Sequence, residues 1–185
     1  MSSWIWVGVG SAGVVAAPLL ALLVVSASRQ RRSDHLRRQF KSEYVRVVRE
    51  APSRAEAEKE LSERAERLRE LHLRPLPHDS SERYAERWRM VQARFVDDPG
   101  GAVRDADRLV QEVILECGYP SVDFDQRASD VSVEHPEVVA NYRAAHDIYE
   151  NQLRGSATTE ELRHAIVDYR ALVDELLAGE VALVR

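Results

Sequence analysis

Asp98-Pro-Gly-Gly-Ala-Val-Arg-Asp-Ala-Asp-Arg-Leu-Val-Gln-Glu-Val-Ile-Leu-Glu-Cys-Gly118 is the stretch whose pattern decides the fold class. Asp98 is a helix N-cap. Pro99 follows at the first helical position, where a missing N–H leaves nothing unpaired. Val103, Ala106, Leu109, Val110, Val113 and Ile114 recur at helical spacing and define one apolar face. Gly118 stands just past the last turn, where a left-handed residue closes a helix.

The same period extends in both directions. Upstream, Tyr84, Trp88, Val91 and Phe95 stand at i, i+4, i+7 and i+11, a seam of large core side chains. Asp79 with Glu82 offers this helix a cap. A connector stiffened by Pro75 and Pro77 precedes it. Before the connector, Ser53-Arg-Ala-Glu56 is a capping box, which opens a helix running to about Leu73. Leu61, Ala65 and Leu68 give that helix a thin apolar stripe. Its other positions pair Glu60 with Arg64 and Glu63 with Arg67. An earlier helix, about Ser33 to Glu50, turns Phe40, Tyr44, Val47 and Val48 to one side and breaks at Ala51-Pro52.

Downstream, a short helix is expected around Asp123 to Asp130, because a long structureless loop inside a compact domain is uncommon. Pro136 starts the next helix, with Val138, Val139, Tyr142, Ala145, Tyr149 and Leu153 inward and Gly155 as its stop. Thr158-Thr-Glu-Glu161 is a third capping box. The last helix buries Leu162, Ile166, Tyr169, Val173 and Leu176 and ends at Gly179. No segment alternates like a strand.

The N-terminus is different in kind. From Trp4 to Ser28 there is no charged side chain. About 20 apolar residues in a helix cross a hydrocarbon core of about 30 Å. Trp4 and Trp6 mark one end, and Arg29, Arg31, Arg32, Arg37 and Arg38 follow the other. The positive-inside rule then puts the N-terminus outside and the remainder in the cytoplasm. The rival reading is a cleaved signal peptide at Val25-Ser26-Ala27. Against it stand the uncharged n-region, the length of the run and the arginines that follow at once. Gly8, Ala12 and Ala16 have small-xxx-small spacing, as do Gly13 and Ala17. That spacing suits helix self-association, but small residues are common in membrane helices anyway.

Composition narrows the function classes. With Cys117 the sole cysteine, there is no disulfide framework. A net charge of −5 argues against a nucleic-acid binder. Asp123, Asp125 and Glu134 occupy calcium-loop positions 1, 3 and 12. Arg127, however, puts a cation at position 5, and Ala128 replaces the turn glycine at 6. The six histidines show no H-x-x-x-H or Cys–His cluster. His146, between Tyr142 and Tyr149, reads as a partly buried histidine bonded to a neighbour. His164 and Asp168 read as an exposed pair one turn apart. Cys117, at a helix C-terminus, reads as a small buried side chain and a poor nucleophile. No catalytic, cofactor-binding or metal-ligating residue is assigned. The residues that would line a pocket, if one forms near 119–146, are Asp125, Arg127, His135 and His146.

Arg83-Tyr-Ala-Glu-Arg-Trp88-Arg-Met-Val-Gln92-Ala-Arg-Phe95-Val-Asp-Asp98-Pro99, Gly118-Tyr-Pro120, Asp123-Phe-Asp-Gln-Arg127-Ala and Glu134-His-Pro136-Glu-Val-Val-Ala-Asn141-Tyr-Arg-Ala-Ala-His146 together carry a resemblance. Over about residues 30–150 the chain resembles a family of uncharacterised bacterial proteins with an N-terminal hydrophobic segment and a helical cytoplasmic domain. The resemblance implies placement and fold. It implies no activity, ligand or catalytic residue.

The expectation is an all-α protein, a single N-terminal transmembrane helix followed by a multi-helix bundle. Residues 1–28 form the anchor, 29–52 a basic juxtamembrane segment with the first helix, and 53–185 the bundle. The expected partners are the bilayer through residues 4–28 and anionic headgroups through Arg29, Arg31 and Arg32. The protein partner is left unidentified, a homo-oligomer is an open alternative, and nucleic acid is not expected. The favoured role is a non-enzymatic interaction or scaffold module at the cytoplasmic face. The alternative is a small-ligand binder or enzyme with its pocket near residues 119–146.

Overall fold

A computed structural model describes residues 26–28, 30–120 and 123–178 in full, and residues 3–25, 29 and 179–182 as helix only. The protein is all-α. Among the described residues there are seven helices and no strand: α1 Ser3–Glu50, α2 Arg54–Glu70, α3 His78–Arg94, α4 Pro99–Glu116, α5 Phe124–Glu134, α6 Val139–Leu153 and α7 Thr159–Ala182. The chain divides into two compact units, Met1–Gln39 and Phe40–Arg185, so the division falls inside α1.

The first unit is helical from Ser3, and Arg31, Arg32, Arg37 and Arg38 are exposed along it. Among the described residues no helix is long and apolar enough to cross a membrane. Most of the uncharged run 4–28, namely residues 4–25, lies outside the fully described residues. The expected transmembrane helix and the small-residue spacing fall there.

In the second unit α4 is central. It packs on α3, α6 and α7, while α6 lies along α7, α5 along α6 and α2 along α5. Val103, Ala106, Leu109, Val110, Val113 and Ile114 are all buried, as the spacing predicts. Each large apolar side chain fully buried this way contributes about 1.5–3 kcal/mol. The Asp98 carboxylate accepts from the Gly101 N–H at 2.8 Å. Gly118 closes α4 at φ 97°, and a Cβ there would also come within 2.7 Å of the His72 carbonyl oxygen. Conformation and close approach of the α2–α3 connector therefore both require glycine.

Caps form at three other helices, those at Ser53 and Thr158 as predicted. Ser53 accepts from the Glu56 N–H at 3.2 Å and Asp123 from the Gln126 N–H at 2.9 Å. Thr158 and Glu161 bond reciprocally, Thr158 accepting at 3.3 Å and Glu161 at 2.7 Å.

Several boundaries and pairings differ from expectation. Asp79 does not cap α3. Pro77 precedes the helix at φ −59°, and its carbonyl accepts from both Ser80 and Ser81. α6 begins at Val139 and not at Pro136, because residues 136–138 form the turn that reverses the chain after α5. α7 continues past Gly179 to Ala182. Leu153 is 55% exposed at the end of α6, just before Gly155 turns the chain away at φ 72°. Arg67 does not pair with Glu63. It reaches across to the buried Asp130 at 3.1 Å, and Glu63 faces Lys59.

Lys41 interrupts α1 with φ 44° and ψ −115°. This region is costly for a residue with a Cβ. The surroundings hold it: Lys41 Nζ meets Glu137 Oε1 at 2.5 Å, and Ser42 Oγ donates to the Pro136 carbonyl at 3.1 Å.

Candidate functional site

The four residues singled out for a pocket do not converge. Asp125 is 93% exposed and reaches only Arg143, at 3.9 Å. His135 ends α5, with its Nδ1 3.2 Å from Glu175 Oε1. Arg127 and His146 do come together. Both rest against Phe124: the His146 ring stacks on it at 3.6 Å and 9°, and the Arg127 guanidinium lies 6.0 Å from its centroid.

Behind them lies a buried polar centre built by α4, α5, α6 and α7. At its middle is Asp107, whose side chain is 4% exposed. Asp107 Oδ1 accepts from the Tyr169 hydroxyl at 2.8 Å and faces His146 Nδ1 at 3.4 Å. Oδ2 accepts from Gln111 Nε2 at 2.5 Å. Arg127 Nε donates to the Tyr142 hydroxyl at 2.8 Å, and the Tyr142 ring meets the Tyr169 ring edge-on at 6.2 Å. Burial pushes Tyr142 up to about 12, against the opposing pull of Arg127. Burial and then the Asp107 charge raise Tyr169 further still. Both hydroxyls therefore keep their protons at neutral pH. Both oxygens of Asp107 are committed to internal donors, so the centre is a closed network around one carboxylate.

A second centre joins α1, α2 and α6. Glu43 is 2% exposed. It accepts from Arg46 at 2.9 and 2.6 Å, from Arg64 at 2.9 Å and from Arg143 at 3.4 Å. Arg64 also meets Glu60, and Arg46 meets Glu50. Burial pushes the Glu43 carboxyl up. The three guanidinium groups, Arg46 foremost, more than reverse this and hold it below its ordinary value. Burial lowers Arg143, and repulsion from Arg46 and Arg64 adds to that against the pull of Glu43.

An open cleft of about 300 Å³ lies beside His135, lined also by Arg74, Cys117, Tyr119, Glu134 and Leu176. Cys117 is buried, and burial with the nearby Glu116 pushes its thiol up to about 11, so it is a thiol and not a thiolate at neutral pH. His164 sits exposed at 3.2 Å from Glu160. Among the described residues no group of three or more His, Cys, Asp or Glu side chains is arranged to hold a metal ion.

Asp107, Gln111 and Glu43 were not singled out in the sequence, and Arg64 only as the partner of Glu60. A signal for three of them exists. Asp107 falls inside the apolar arc between Val103 and Val110, Glu43 between Phe40 and Val47, and Arg64 between Leu61 and Leu68. A charged residue at a core-facing register position marks a buried ion in need of a partner. No protein-family model, curated protein or solved structure matches the chain.

Proposed function

We propose that the protein is a single-pass membrane-anchored interaction module, with its N-terminus outside and its helical bundle in the cytoplasm. The observation that carries this is the uncharged run Trp4–Ser28 closed by an arginine cluster, four of whose members are exposed on α1. Tryptophans at one end and arginines at the other are the flanks of an oriented membrane helix. Each arginine near an anionic leaflet adds about 1 kcal/mol of attraction, which gives Arg29, Arg31 and Arg32 a headgroup role. The bundle supports the non-enzymatic half of the reading. Its buried carboxylates Glu43 and Asp107 are bonded to internal donors and hold the helices together. Kinship with the resembling family of anchored helical proteins belongs to the same reading.

The test is fractionation followed by mild-detergent purification of the full-length protein, with co-purifying proteins identified by mass spectrometry. The chain should stay in the membrane fraction through an alkaline wash, and deletion of residues 4–28 should release it. A reproducible partner should disappear when residues 29–185 are removed. Release of the intact chain by alkali would sink the anchor, and a bare preparation would sink the interaction role.

A second reading rests on the cleft beside His135, which draws Tyr119, Glu134 and His135 from the segment 119–146. There the bundle would take a small ligand with an apolar body against Tyr119 and Leu176. A small-molecule thermal-shift screen on wild type and Leu176→Trp separates the readings. A hit lost in the variant favours the ligand binder.

A further inference from the structure

The helical hairpin of α3 and α4 carries a groove of about 300 Å³ on its outer side. Its floor is apolar: Val91 and Leu109 are buried, and Met90 is 57% exposed above them. Its rim has three arginines, Arg87, Arg94 and Arg108, against one carboxylate, Asp105. Arg87 and Arg94 are matched by Glu112, Asp98 and Asp105, so among the described residues the rim charge without an ion pair is that of Arg108.

The pairing within the groove leaves a cation over. On α4 the helix-spaced partners of Arg108 are Asp105, three residues before it, and Glu112, four after it. Both are taken from across the groove. Arg94 holds Asp105 at 2.5 Å and Arg87 holds Glu112 at 2.5 Å. Arg94 holds Asp98 as well, at 2.6 Å. Arg108, and Arg104 one turn before it, are exposed and make no ion pair among the described residues. Two like charges at i, i+4 repel. An exposed methionine beside an unmatched arginine is the surface that an apolar side chain flanked by a carboxylate would complete.

We propose that this groove docks an acidic amphipathic helix of a partner protein, which sets one large apolar side chain over Met90 and a carboxylate on Arg108. The proposal rests on the interaction-module reading and names the face and the chemistry of the partner. On α3, Arg83, Arg87, Met90 and Arg94 stand at i, i+4, i+7 and i+11, a register that a helix laid in the groove can follow. A free phosphate would satisfy Arg108 and leave Met90 in water. An acidic helix satisfies both.

The test is a random peptide library panned on the full-length protein in mild detergent, with Arg108→Glu as the counter-target. Enriched peptides should be acidic and amphipathic. Their binding should weaken about tenfold or more in Arg108→Glu, as expected for loss of a charge-assisted contact, and fall again in Met90→Lys. Swapping the peptide's acids for lysines should restore binding to Arg108→Glu. Both substitutions lie on exposed side chains, and unchanged helical signal and melting midpoint verify the fold. No enrichment, enrichment of peptides without acids, or equal binding to both variants would overturn the proposal. Concentration-dependent self-association that vanishes in Arg108→Glu would overturn it too, by making a second copy the occupant. If the groove fails while the membrane purification still yields a partner, the interaction role stands on another face.

Discussion

Glu43 and Asp107 are both carboxylates buried at the meeting of several helices, yet they are satisfied in opposite ways. Three guanidinium groups from α1, α2 and α6 surround Glu43. Asp107 is met by a tyrosine hydroxyl, a carboxamide and an imidazole. The first joint is held by full charges that cannot be given up, because arginine keeps its proton. The second is held by hydrogen bonds whose geometry matters more than charge. Removing the carboxylate charge therefore has different consequences. At Glu43 it strands cations in a medium of low dielectric; at Asp107 it weakens hydrogen bonds from a hydroxyl and a carboxamide.

The largest effect expected from this contrast is at Glu43. Glu43→Gln leaves the buried Arg64 with only the half-exposed Glu60 as counter-charge, and the cost should be about 3–5 kcal/mol, read from the urea midpoint of the full chain in mild detergent. A loss below about 1 kcal/mol would mean that Glu60 and Glu50 carry the balance and that the two joints are alike. Replacing both partners, Glu43→Leu with Arg64→Met, should recover most of the loss, because an apolar pair of similar volume avoids the desolvation of both ions. Asp107→Asn should cost less, about 1–3 kcal/mol. The amide oxygen still accepts from Tyr169, and only one of its former acceptor sites becomes a donor. If Asp107→Asn proves the more damaging of the two, the ranking of ionic over hydrogen-bonded joints is broken.

Much of the bundle was readable because local rules and the global fold agree. The caps at Ser53, Asp98 and Thr158 depend on residues within one turn, and so do the stops at Gly118 and Gly155. The apolar faces of α4 and α7 depend only on spacing. What could not be read involves partners far apart in sequence. Arg67 leaves its helical neighbour Glu63 for Asp130 because a buried carboxylate gains more from a guanidinium than an exposed one does. The candidate cluster fails for a related reason. Asp125 and Arg127 are two apart on α5, so they point to different sides of the helix, one into water and one onto Phe124. His135 ends α5 and faces Glu175, apart from Arg127 and His146. His146 alone was placed well, half-buried and facing Asp107, because its flanking tyrosines already fixed its face.

The smallest signal, and the sharpest discriminator between the two joints, is the response to acid. The folded Glu43 carboxyl lies below its ordinary value of 4.5. A group depressed in this way binds fewer protons folded than unfolded between the two values. Its contribution is therefore complete above about pH 4.5 and is lost as pH falls through the folded value. Glu43→Gln has no such contribution to lose. The stability gap between wild type and Glu43→Gln should be flat from neutral pH down to roughly 5, then narrow as acid is added. Other carboxylates titrate over the same range, but they titrate in both proteins and cancel in the difference. A gap that stays constant through the acid range would mean that the arginines do not hold Glu43 ionised. The joint between α1, α2 and α6 would then owe its strength to packing around Phe40, Leu61 and Val47 rather than to charge.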